Sequence, residues 1–131
     1  MTEVRSQESE VRRPAKSFRD LIVWQRAHGL VLEIYKITER FPSKEQFGVT
    51  SQVRRAAFSV PSNIAEAFKA RSKADKARIL NIGQKSLEEV RYLLLLAGDL
   101  GYVKRGALLI EAEEVSRLLG AYTQKILNSD F

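Results

Sequence analysis

Apolar residues return every three or four positions along four separate stretches of this chain, and that period makes helices its building units. In the first stretch, Trp24, Ala27, Val31, Ile34, Thr38 and Phe41 form one seam. It predicts a helix from Asp20 to Arg40, stopped by Pro42, which pushes the residue before it away from helical dihedrals. In the second, Val49, Val53, Ala56, Val60, Ile64 and Ala67 predict a helix beginning at Ser43 or Val49 and ending at Lys69. Ser43 and Gln46 have the spacing of a capping box. Pro61 interrupts the hydrogen bonding of this helix but not the phase of its stripe, so a kinked single helix is expected. Ser59, Ser62 and Asn63 stand close enough to occupy freed backbone groups.

The third stretch reads from a Ser72 cap to Leu100, with Gly101 as a left-handed terminator. Ile79, Gly83, Ser86, Val90, Leu93 and Ala97 make its seam, widened by Leu80, Leu87 and Leu94. The fourth reads from Lys104 to Asn128, on Leu108, Ala112, Val115, Leu119, Tyr122 and Ile126. Short connections make neighbouring helices antiparallel, so the fold class is all-α, an up-down four-helix bundle over residues 18–131. Residues 1–17 are polar and aperiodic and read as a flexible basic arm. No strand pattern competes.

One bundle cannot bury all of this apolar surface. Leu93, Leu94, Leu95 and Leu96 are consecutive, and at about 100° per residue they point around the whole helix. Large exposed apolar patches are uncommon on monomers, so self-association is expected, with Leu95 and Leu96 at the interface. Gly29, Gly83, Gly98 and Gly120 lie inside helices, where each costs about 1 kcal/mol relative to alanine. Close helix approach, within one bundle or between copies, would offset that.

The chain has 131 residues, no cysteine and one histidine. Disulfides, thiolate metal sites and thiol nucleophiles are excluded. His28 alone cannot furnish the paired Glu-x-x-His ligands of a carboxylate-bridged di-metal bundle, nor does it have an evident catalytic partner. There is no glycine-rich phosphate loop. The adjacent pairs Glu88–Glu89 and Glu113–Glu114 diverge on a helix and read as solvated charge. The expectation is a non-enzymatic protein without cofactor or metal. No apolar run is long enough for a membrane span or a signal peptide, so a cytoplasmic location is expected.

The net charge is +6. Residues 42–71 carry five cations against two carboxylates and residues 1–19 five against three, while residues 104–131 are balanced. The positive charge therefore sits in the arm and the second helix. Arg54, Arg55, Lys69, Arg71 and Lys73, with Arg12 and Arg13 of the arm, are the candidate phosphate contacts for RNA or DNA. Few aromatics are interleaved with them, so backbone contact rather than base stacking is expected. Arg54 and Arg55 could instead brace subunits, with Pro61, Asn63 and Glu66 in the same role, or form a solvated face.

Two segments resemble a known family. They are Phe18-Arg-Asp-Leu-Ile-Val-Trp-Gln-Arg-Ala27 and Phe47-Gly-Val-Thr-Ser-Gln-Val-Arg-Arg-Ala-Ala-Phe-Ser-Val-Pro-Ser-Asn-Ile-Ala-Glu66, joined by the stretch from Leu95 to Tyr102. The family is that of bacterial four-helix-bundle proteins first noted in intervening sequences of 23S ribosomal RNA genes. The likeness spans about Phe18 to Leu127. Two features depart from it: Ala67 stands where the family has glycine, and the basic arm is longer. The resemblance implies a four-helix protomer, a ring-shaped homopentamer, and kinship with the accessory variability determinant of diversity-generating retroelements. That relative associates with a reverse transcriptase and with nucleic acid. The expected function is thus an oligomeric nucleic-acid-binding accessory protein, with a pure protein-interaction scaffold as the alternative.

Overall fold

The computed structural model describes residues 14–129. It is all-helical, with no strand among the described residues. Four helices, α1 (Ile22–Thr38), α2 (Val49–Lys69), α3 (Lys73–Asp99) and α4 (Leu109–Leu127), are joined to two short 3-10 turns at Phe18–Asp20 and Ser43–Glu45. Each helix packs against its sequence neighbours, and α1 closes on α4, giving the antiparallel up-down bundle expected. The predicted stripes line a single core centred on Ile34, Ile64, Leu87, Val90 and Leu119, all at most 1% exposed.

Several boundaries differ from expectation. The helix α1 starts later than Asp20, because Ser17 and Asp20 hold a separate 3-10 turn: the Ser17 hydroxyl accepts from the Arg19 N–H, and the Asp20 carboxylate from Ser17 N–H. Ser43 and Gln46 form no capping box. The start of α2 is served by the Glu45 carboxylate, which accepts from Val49 N–H at 3.1 Å. At α4 the expected first turn is absent. Residues 103–108 form a loop with Gly106 at φ +85° and Leu108 at φ +62°, so the helix begins only at Leu109. A leucine in the left-handed region is strained by roughly 1–2 kcal/mol. Its side chain packs against the core, which offsets that cost.

Other signals behave as read. Ser72 caps α3 by accepting from Asp75 N–H at 3.0 Å. Gly101 takes φ +80° and ends α3 in a Schellman arrangement, with Tyr102 N–H bonded to Ala97 C=O and Gly101 N–H to Gly98 C=O. The helix α2 runs unbroken through Pro61. Asn63 folds back there, donating through Nδ2 to the Ser59 carbonyl and hydroxyl rather than to the freed carbonyl of Ala57.

The glycines divide. A Cβ on Gly98 would lie 3.3 Å from Arg105 Cα, so Gly98 serves a close approach inside the protomer, whereas one on buried Gly83 would make an ordinary contact with Asn63 Cβ at 3.5 Å. On Gly29 and Gly120 a Cβ would meet nothing within 4 Å.

The end of the bundle holding the α1–α2 connection is latched. The Tyr102 hydroxyl donates to Glu45 Oε2 at 2.8 Å, and Phe41 packs on the Tyr102 ring. The Tyr102 bond, then the Val49 N–H, hold the Glu45 carboxyl below its ordinary value, and the same bond raises Tyr102. A depressed carboxyl contributes stability above its unfolded value of about 4.3 and loses it as pH falls through the folded value. The Val49 amide shift is therefore expected to titrate with a midpoint below about 4.3, and Glu45→Gln to abolish that titration in an NMR pH series.

Candidate nucleic-acid interface

The turn between α2 and α3 gathers positive charge. Residues 66–78 carry five cations, Lys69, Arg71, Lys73, Lys76 and Arg78, against Glu66 and Asp75. The turn is short because both helix ends are closed locally: Ser72 starts α3, while the Lys76 ammonium donates to the Ala67 and Phe68 carbonyls at the end of α2. A cation at those carbonyls also complements the helix dipole.

Around the turn lies a shallow open depression of about 580 Å³, lined by Lys69, Arg71, Ser72, Asp75 and Arg78. A neighbouring one of about 510 Å³ is lined by Glu66, Lys69, Asp75 and Ile79. Arg78 forks onto Asp75 Oδ1 at 2.9 and 3.1 Å in an exposed pair. Lys69 and Arg71 are exposed and make no hydrogen bond or ion pair among the described residues. The up-down topology puts Lys16 and Arg19, at the start of the chain's described part, and Lys125, near the end of α4, at this same end of the bundle. The charge is spread over an open surface without a deep pocket. Such a surface suits a polyanion's backbone rather than a small ligand.

The sequence-predicted cations are not all here. Lys73 reaches the turn, but its ammonium donates to the Ser129 carbonyl and ties α3 to the end of α4. Arg54 stands fifteen residues before Lys69, roughly 22 Å away along the helix. It is spent inside the protomer: Nε donates to Thr38 Oγ1 at 2.8 Å and a terminal nitrogen donates to the Tyr35 carbonyl at 3.4 Å. The guanidinium lies 4.5 Å from the Tyr35 ring centre. Expected as a phosphate contact or a brace between subunits, Arg54 is half-buried and engaged within the protomer, where it locks α1 to α2. Arg55, beside it, is exposed and makes no hydrogen bond or ion pair among the described residues. Arg12 and Arg13 lie outside the described residues.

The residues expected at an oligomer interface also separate. Pro61 is buried in its own bundle, Asn63 is engaged by Ser59, and Leu96 packs against its own core. Glu66 is exposed, and Leu95 is 52% exposed. Sequence reasoning missed Lys76 and Arg78 at the turn. It also missed the aromatic surface around Arg54: Tyr35 and Phe58 are 37% and 47% exposed, one on each helix that Arg54 joins. Trp24 is partly buried and stacks flat on the exposed His28 ring at 4.9 Å.

No group of three or more His, Asp or Glu side chains is placed to hold a metal ion, and no helix is long and apolar enough to cross a membrane, among the described residues.

A sequence profile described as 23S rRNA-intervening sequence protein matches residues 19–121. The fold is similar to the crystal structure of a protein of unknown function from the S23 ribosomal protein family of Bacteroides thetaiotaomicron, with TM-score 0.72 and 25% identity. That match covers 79% of this chain and 96% of the other. A search of curated protein sequences finds no match.

Proposed function

Since this chain belongs to the 23S rRNA-intervening sequence protein family, we propose that it is a non-enzymatic accessory protein that assembles into a homopentameric ring and binds RNA or DNA through the basic end of each bundle. The observation that carries this reading is the cluster at the α2–α3 turn, where Lys69 and Arg71 are exposed around an open depression without ion-pair partners among the described residues. Neutralising phosphates with such groups releases counterions, so affinity comes with steep salt dependence and little sequence readout. Five copies would carry roughly +30, which strengthens long-range attraction of a polyanion. The resemblance of the sequence to the retroelement accessory protein is the ground for naming a reverse transcriptase as a partner to test.

The test is a gel-shift titration against structured RNA and duplex DNA at low and moderate salt. Binding is expected to weaken by at least about tenfold between 50 and 200 mM salt. Absence of binding at low salt removes the reading. In that case the scaffold alternative stands, favoured by the exposed aromatic surface of Tyr35 and Phe58.

A further inference from the structure

We infer that the stacked rings of Trp24 and His28 are a platform for one unpaired base of a strand whose phosphates lie on Lys69 and Arg71. The inference rests on the phosphate binding proposed above and narrows its substrate class to single-stranded nucleic acid.

Trp24 is held on two sides. The His28 ring lies parallel to it, with centroids 4.9 Å apart and planes 9° apart, and the Phe18 ring meets it edge-on at 5.1 Å. Phe18 is fixed in its turn, because Ser17 and Asp20 close that turn and the Gln25 amide donates to the Arg19 carbonyl at 2.8 Å. Phe18 and Trp24 are half-buried, whereas His28 is exposed. The stack therefore ends in a flat ring with one face on Trp24 and the other toward solvent. Imidazole is among the rings on which unpaired bases stack. A base adds one more layer, and the layers beneath it are already ordered, which lowers the entropic cost of binding.

The fold carries this stack to the cations, although roughly forty residues separate them in sequence. Trp24, His28 and Tyr35 recur along one side of α1, and the bonds of Arg54 to Tyr35 and Thr38 show that this side borders α2. Phe58, Ala65 and Lys69 continue the Arg54 side of α2. The two helices are antiparallel, so Lys69, fifteen residues beyond Arg54, comes level with residues 20–23 of α1, next to Trp24. In keeping with this register, the Phe18–Asp20 turn packs on α1 and α2 together. Arg19 in that turn is exposed, as are Lys69 and Arg71. Little negative charge opposes a strand here. Residues 21–32 and 49–65 contain no carboxylate, the Asp20 carboxylate accepts from the Lys16 and Ser17 N–H groups, and Glu66 lines a depression with Asp75 and Ile79 of α3.

Base pairing decides which polyanion gains from the platform. In a duplex each base is already stacked within its helix, so only an unpaired base reaches the His28 ring. Phosphate contact serves both forms. Stacking tolerates any base, because each has a π-face, so the platform adds strand selectivity without sequence readout.

The test compares wild type, His28→Ala and His28→Tyr by fluorescence anisotropy at low salt, with a short oligothymidylate and a DNA duplex of the same length as probes. His28 makes no hydrogen bond or ion pair among the described residues, so neither change should disturb the fold, which circular dichroism checks. His28→Ala is expected to weaken oligothymidylate binding by roughly 5- to 100-fold, the loss of one base–aromatic stack. Its duplex affinity should stay within about twofold of wild type, since the phosphate contacts remain. His28→Tyr, which keeps a flat ring, should restore the oligothymidylate. Oligothymidylate affinity unchanged in His28→Ala, an equal loss on the duplex, or no rescue by tyrosine overturns the platform and leaves phosphate binding standing. A changed mass of His28→Ala in the ultracentrifuge also overturns it, by making this ring a contact between copies. Wild type that binds neither probe removes the nucleic-acid reading itself.

Discussion

Replacing Lys69, Arg71 and Arg78 together with glutamine should lower affinity for single-stranded RNA by roughly 10- to 100-fold at physiological salt and flatten the log–log salt slope by about 2. The estimate follows from three phosphate contacts at about 0.7 released counterions each. The side chains line one depression, so they would act on one stretch of backbone. The fold should be indifferent to the change. Lys69 and Arg71 hold nothing among the described residues, and the Arg78–Asp75 pair is solvent-exposed, where such pairs contribute little. The Ser72 cap and the Lys76 closure of α2 are untouched. Fluorescence anisotropy across a salt series checks both numbers. Because the loss would not depend on RNA sequence, two unrelated oligonucleotides should weaken alike. Affinity that holds within twofold would move the interface away from the turn.

Truncating Ile64 to alanine should cost about 2–5 kcal/mol, the range for removing three carbons from a core that cannot collapse. For a domain near 100 residues that is a fall in melting temperature on the order of 10 °C or more. Ile64 is fully buried, on the stripe of α2 that also presents Val60 and Ala67 to the core. Phe58→Ala on the same helix should change the unfolding free energy of the single protomer by only about 0.5 kcal/mol, as exposed sites do. Urea unfolding of the two variants, run at a dilution where ultracentrifugation gives the mass of a single protomer, separates the two. The contrast matters because Phe58 is the larger side chain: burial, not size, sets the order.

The core was legible in the sequence because burial in a helix follows the period, and Val53, Ala56, Val60, Ile64 and Ala67 are all buried as their spacing requires. Helix ends tied to a local motif were equally legible, as with Ser72 and Gly101. The start of α4 was not, since Lys104 to Leu108 continues the periodic pattern while a left-handed Leu108, held by the core, overrides it. The run Leu93–Leu96 showed that something must remain outside. Only packing decides that Leu95 does and Leu96 mostly does not. The role of Arg54 was hidden for a related reason. Its partners lie 16 and 19 residues earlier, on another helix, and no local spacing announces such a bond. The basic turn was half visible: Lys69 and Arg71 stood out as charge, but only the fold shows that Lys76 is committed to helix carbonyls and Lys73 to Ser129.

Gly120 sits bare on the flank of α4 that Glu113 also occupies, with open space where a methyl would go. An alanine there would firm the solitary helix by about 1 kcal/mol. If a neighbour's backbone uses that space, the same methyl would wedge the two apart. Individual robustness and collective cohesion would then pull in opposite directions at one carbon atom, and a sequence selected for the collective would keep the weaker helix.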